Sequence, residues 1–220
     1  MLRLSFVTGT EPGKWLRRFS QATTHGLDAA ADDDPLAVLA AGKCDLTLVR
    51  LADERVTGEH HVVRLYDETP GVAVSKDSVF AEVGEPVLFS DLAGEIVNFT
   101  FEVGADYNDL RAALQVVAAN VGVAYAPLPL LQALSKKQVV PLALRGGEPV
   151  PTEIALVWKK SEDSDAIQDF VGVAKGRTLN SSRAQAPSAN VKKKNSRTQS
   201  TRGLRRTGKV PHKGGKRGRR

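Results

Sequence analysis

The side chains able to do chemistry in this chain fall into two sets of opposite character. The first opens with Thr8-Gly9-Thr10, which follows the apolar run Leu2–Val7 and precedes a helical stretch. Hydroxyls and free backbone N–H groups at a helix N-terminus suit a carboxylate or a phosphate. The same three residues also read as a plain cap on an ordinary turn. Glu11 beside them would oppose an anion, which leaves a polar or cationic ligand open. Arg50, following Leu46–Val49, can pair with an anion or sit in a solvated salt bridge. The second set is wholly basic. Lys192, Lys193, Lys194, then Arg205 and Arg206, then Lys213, Lys216, Arg217, Arg219 and Arg220 form three clusters spaced by Gly, Ser and Thr. Such an arm engages DNA or RNA phosphates through counterion release, without reading bases. It holds no aromatic residue on which a base could stack. A solubilising tail is the alternative reading.

Catalytic constellations are poor. His25 and His60-His61 are the histidines of the first 175 residues, and adjacent residues on a strand point to opposite faces, so the pair does not converge on a metal or a base. His25 with Asp28 and Asp32–Asp34 reads as a solvated loop and helix cap rather than a metal site. There is no G-x-S-x-G, no P-loop and no paired-cysteine motif. The single cysteine, Cys44, excludes an intramolecular disulfide and a multi-thiol zinc site, and it reads as an inert, half-buried thiol. The expectation is no catalytic residue, no metal, no cofactor and no enzyme.

Charge divides the chain in the same way. Every acidic residue lies at or before Asp169, whereas the last 45 residues carry fifteen Lys and Arg and no acid. Residues 1–175 therefore hold 16 basic against 25 acidic residues, and 176–220 form a basic tail. A block of like charge with few apolar residues cannot bury enough surface to offset its ordering entropy, so the tail is expected to be disordered. The first 175 residues suit one globular unit or two small lobes and can bury a core without staples. Met1–Val7, with its early Arg3, reads as a strand rather than a signal peptide, and no run approaches the roughly 20 apolar residues of a membrane span. The expected location is the cytoplasm.

Short apolar runs alternate with helical segments. Strands are predicted at Leu2–Val7, Leu46–Leu51, His61–Tyr66, Gly71–Ser75, Ile96–Phe101, Val123–Ala126, Val139–Leu144 and Glu153–Trp158. Helices are predicted over Trp15–Gln21, capped by Thr10, and over Leu36–Ala41, entered through Asp34-Pro35 and stopped by Gly42. Leu110–Ala119, capped by Asp109, carries Leu110, Ala113, Leu114, Val117 and Val121 on one face. A helix from Pro127 to about Leu134 and a final one over Asp165–Ala174 complete the set. Continuous apolar strands alternating with helices imply a mostly parallel sheet covered on both faces.

Four segments in order resemble the effector-binding domain of LysR-type transcriptional regulators. They are Leu4–Gly9, Leu39–Arg50 with its Leu-x-x-Gly-x-x-Asp-Leu spacing at Leu39, Gly42, Asp45 and Leu46, Leu110–Pro127 ending in Ala118-Ala119-Asn120-Val121-Gly122-Val123-Ala124-Tyr125-Ala126-Pro127, and Ile154–Lys160. The resemblance covers nearly all of residues 1–175. It implies an α/β, two-lobed, periplasmic-binding-protein-like (type 2) fold. Lobe one would take 1–68 and 143–175 and lobe two 69–142, with crossings near Glu68-Thr69-Pro70 and Pro141-Leu142. Gly26–Asp33, Ala- and Asp-rich, implies a shortened second strand.

The ligand implied by the resemblance is a small-molecule effector held between the lobes. Thr8, Gly9, Thr10 and Arg50 would meet it from lobe one, and Thr100, Phe101 and Tyr125 from lobe two. Such regulators usually carry a helix-turn-helix before this domain, and the resemblance begins at the first strand. The Gly176–Arg183 stretch points to a standalone, actinobacterial-like form. The reading is a LysR-like effector-binding protein acting in transcription regulation, its basic tail giving non-specific nucleic-acid affinity. A homodimer, or association with a full-length regulator, fits the family. The alternative is a cytosolic metabolite-binding or adaptor protein partnering a full-length regulator or a ribonucleoprotein.

Overall fold

The computed structural model describes residues 1–147 and 151–176. The basic clusters at 192–194, 205–206 and 213–220, and all but the first residue of the expected tail, lie outside them. The chain begins β1 (Leu2–Val7), α1 (Gly13–Ala22), β2 (Leu27–Asp32), α2 (Pro35–Ala40), β3 (Leu46–Leu51) and β4 (His60–Asp67). It continues β5 (Pro70–Ser75), α3 (Val79–Val83), β6 (Val87–Leu88), β7 (Val97–Thr100) and α4 (Tyr107–Ala118). It closes with β8 (Val123–Pro127), α5 (Leu128–Leu134), β9 (Val139–Arg145), β10 (Glu153–Lys159) and α6 (Asp165–Ala174).

These strands make two five-stranded sheets, ordered β2-β1-β3-β10-β4 and β6-β9-β5-β8-β7. The two-lobed α/β architecture is the one expected, but the sheets are mixed rather than mostly parallel. Parallel pairs (β1 with β2 and β3, β6 with β9, β7 with β8) are matched by four antiparallel ones, all involving β10 or β5. The reason is connectivity: β4, β5, β9 and β10 flank the two passages between sheets. β9 stays in the second sheet as far as Arg145 and β10 of the first begins at Glu153, so the return crossing follows Arg145 rather than falling at Pro141-Leu142.

Local signals explain most elements. The Asp34 carboxylate accepts from the Ala37 N–H and Pro35 opens α2, a cap followed by a first-turn proline. In α4, Asp106 is the cap, accepting from the Asn108 N–H, and Asp109 falls inside the first turn. Val121 lies past the end of that helix and is exposed. Thr10 does not cap α1: its hydroxyl donates to the Val7 carbonyl at 2.7 Å and is buried. β2 is a full six-residue strand in register with β1, not a shortened one. It stands at the sheet edge, where backbone pairing to one neighbour suffices and Asp28, Ala30 and Asp32 face solvent.

Apolar packing joins the sheets. Leu2, Leu4, Val7, Leu46, Leu48, Ile154 and Leu156 of the first sheet belong to one buried cluster with Ala73 and Ala124 of the second and with Leu110, Leu114 and Val117 of α4. Phe19 of α1 meets Phe170 of α6 with ring centroids 5.5 Å apart beneath β1. Cys44 is fully buried beside Leu36, Leu39 and Val157, and burial raises its thiol to about 11, which leaves it unreactive.

The sheets also meet at a backbone contact. Gly9, at φ +92°, leaves no room for a Cβ, which would lie 2.7 Å from the Leu130 Cα and 2.9 Å from its nitrogen. Gly42 shares a positive φ (+67°) but faces open space. Gly9→Ala is therefore expected to lose clearly more stability than Gly42→Ala, which bears only the backbone strain of about 1–3 kcal/mol. Urea denaturation of the two variants reads the difference; equal losses would mean the approach to Leu130 imposes no constraint.

Candidate functional site

The site is built on Arg50, the penultimate residue of β3, at the carboxyl end of that strand. Its Nε and Nη2 donate to the two carboxylate oxygens of Glu68 at 2.7 and 2.9 Å, and its Nη1 donates to the Thr8 carbonyl at 3.0 Å and to the Tyr107 hydroxyl at 2.6 Å. Glu68 follows β4 on the first passage between the sheets. It also accepts from the Thr152 hydroxyl at 2.7 Å, and its N–H donates to the Thr152 carbonyl on the return passage. The guanidinium lies 5.9 and 6.0 Å from the ring centres of Phe101 and Tyr107. The Arg50 and Glu68 side chains are 2% and 0% exposed.

Burying both charges is tolerable only because the pair is bidentate and its remaining valences are met. Burial opposes the arginine's charge. The Glu68 hydrogen bonds and the nearby Tyr107 outweigh it, and the guanidinium is held above its ordinary value. Burial raises the Tyr107 phenol, against the pull of Arg50. A cross-lobe ion pair joins Arg111 of α4 to Asp33 at 2.8 Å, and the Thr8 hydroxyl donates to the same carboxylate at 2.5 Å.

Beside this network lies a cavity of about 590 Å³. Its first-lobe wall comprises Val7, residues 33–36, Val49, Arg50 and residues 52–55; its second-lobe wall comprises Phe101 and residues 103–107. Phe101 and Val103 separate it from another cavity of about 550 Å³ lined by Leu51, Phe89, Val97, Thr100, Tyr125 and Thr152, among others. On the first cavity's rim Arg55 donates to Asp53 and Asp34, each at 2.8 Å for the shortest contact. The hydrogen bond from Arg55 holds the Asp53 carboxyl below its usual range, against burial.

The expected ligand residues separate here. Arg50 and Phe101 stand on the larger cavity, and Thr100 and Tyr125 line the second one. Thr8, Gly9 and Thr10 are not on either wall: Thr8 supports Arg50 and Asp33, Gly9 packs on Leu130, and Thr10 closes its own turn. Glu68, Tyr107, Thr152 and Asp33 are the participants that sequence reasoning missed. Glu68 carried one signal, a carboxylate at a lobe crossing. His25 pairs with Asp169 and stacks on Phe19, and His61 packs on Trp158. Among the described residues no group of three or more His, Cys, Asp or Glu is arranged to hold a metal ion, and no helix is long and apolar enough to cross a membrane.

Residues 97–178 match the LysR substrate binding domain family. The chain superposes on the BenM effector binding domain with its effector benzoate at a TM-score of 0.59, with 16% identity over 79% of this chain and 90% of that one. This is the fold of a LysR-type effector-binding domain. Full-length CbnR complexed with its target DNA shares the fold, at a TM-score of 0.57 and 17% identity over 80% of this chain and 69% of that one. So does the oxidized form of OxyR, at 0.55 and 23% identity over 80% and 94%. None of the curated proteins matches the sequence.

Two outcomes follow from this arrangement. Glu68→Leu leaves a buried guanidinium unpaired and is expected to cost about 3–5 kcal/mol, whereas the double variant Arg50→Met/Glu68→Leu should cost far less than the sum of the single ones. Denaturation of the four proteins gives the coupling, and additive losses would show that the pair does not act as a unit. The second concerns acid. Asp53 is depressed in the folded state, so its contribution is complete above its unfolded value of about 3.9 and is lost as pH falls through the folded one. Melting temperature against pH should therefore fall less steeply below about pH 4 in Asp53→Asn than in the parent.

Proposed function

We propose that this protein is a LysR-like small-molecule effector-binding protein acting in transcription regulation in the cytoplasm. The observation that carries the reading is the cavity of about 590 Å³ walled by both lobes beside Arg50, within a fold whose BenM counterpart holds benzoate. Its volume falls in the range of small-molecule sites. Ligand contact is assigned to the cavity residues, with Phe101 and Arg50 on the wall and Thr100 and Tyr125 on the adjoining cavity. The chemistry offered there is binding: paired charges, aromatic faces and apolar walls, with no nucleophile–base pair among the described residues that line it.

CbnR, seen complexed with its target DNA, supports the link to transcription. Affinity for DNA or RNA is assigned to the basic residues of 176–220, which supply attraction to phosphate and no base reading. A second copy of the chain or a full-length regulator is the protein partner. An effector shifts such a system only by its differential affinity for the two conformations it couples.

The test uses the chain with and without residues 176–220, titrated with a promoter fragment and a scrambled one. The expected result is similar affinity for both sequences, falling linearly with log salt at about −0.9 per phosphate neutralised, and lost without 176–220. Unchanged affinity after that deletion would remove the role given to the basic residues. A true effector at roughly 100 times its dissociation constant should stabilise the fold by about 2.7 kcal/mol.

A further inference from the structure

We propose that the cavity between the lobes takes a cationic small molecule, an amine or guanidinium compound with an apolar body; this rests on the reading of the cleft as the effector site. The wall carries Asp33, Asp34, Asp53, Glu54 and Asp106 against two cations, Arg50 and Arg55. Both cations are already paired with carboxylates of the chain. Arg50 uses Nε, Nη1 and Nη2 in four hydrogen bonds to Glu68, Thr8 and Tyr107, leaving one of its five N–H groups. Arg55 is clamped by Asp53 through Nε and Nη2 and by Asp34 through Nη1.

The hydroxyls that could have cradled an anion are engaged as well, Thr8 on Asp33 and Thr10 on Val7. Asp33 is matched by Arg111 across the cleft. Glu54 and Asp106 remain without an ion-pair partner among the described residues, on opposite walls of the same space. A cleft lined by one sign of charge between low-dielectric walls concentrates the opposite sign. An anion entering it would meet excess carboxylate and no free cation. A cation would meet Glu54 and Asp106, with the apolar surface of Val7, Leu36, Val49, Phe101 and Val103 to cover the rest of the molecule.

The experiment titrates the full chain, at fixed ionic strength, with 1,4-diaminobutane and agmatine and separately with benzoate and succinate. It follows melting temperature and the backbone amide shifts of Val7, Phe101, Val103 and Tyr107. The amines are expected to raise the melting temperature and move those amides, and the carboxylates to do neither. Glu54→Gln/Asp106→Asn keeps the shapes of both side chains and an Asn cap on α4, and should weaken amine binding at least tenfold. Carboxylates acting in place of the amines would overturn the cationic class and leave the effector-site reading standing. Amine binding unaltered in the double variant would overturn the assignment to this cavity. No response to either class would overturn this proposal together with that reading.

Discussion

One buried ion pair sets the geometry of this molecule. Arg50 and Glu68 lie where β3 ends and where the chain first passes between the sheets, and each is almost sealed from water. Two ions in such a place are stable only when every strong donor and acceptor is met. That requirement reaches outward to Thr8 after β1, to Thr152 on the return passage and to Tyr107 at the start of α4. Five segments separated along the chain, that of Arg50 included, are thereby tied into one network. The cavity has its shape because its innermost wall cannot move without exposing a charge.

Smaller contacts reinforce the same relation between lobes. Gly9, after β1, meets the backbone of Leu130 in α5. Asp33 and Arg111 close the outer edge. The carboxylates of the cavity are also structural: Asp34 and Asp106 cap α2 and α4, and Asp53 anchors Arg55. A helix N-terminus attracts an acidic cap, so two helices that begin at the cleft bring their acids with them. The cleft is acidic because of how its walls are built.

Much of the fold was legible because its signals are local. β1 and α6 run over the residues their patterns indicate, and Asp34-Pro35 marks α2 to within a residue. Errors arose where two local signals compete. Asp106 and Asp109 both suit the cap of α4, and the structure uses the first, which puts Tyr107 in the opening turn, where its hydroxyl meets Arg50. β2 looked weak because an edge strand needs no apolar face on its solvent side. The five-residue α3 and two-residue β6 are too short to show a period. At the site, Arg50 and Phe101 could be picked out as residues at strand ends. Their partners could not: Tyr107 is 57 positions from Arg50, and Thr152 is 84 from Glu68. Only the topology brings them together.

The apolar cluster running from β1 and β3 through Ala73 and Ala124 to α4 has a thermodynamic consequence. Two lobes that shared only a hinge could melt separately, each with its own heat-absorption peak. Here neither sheet can come apart without uncovering side chains of the other, a condition that favours one cooperative transition over two. The lobes are two in topology and share one buried core.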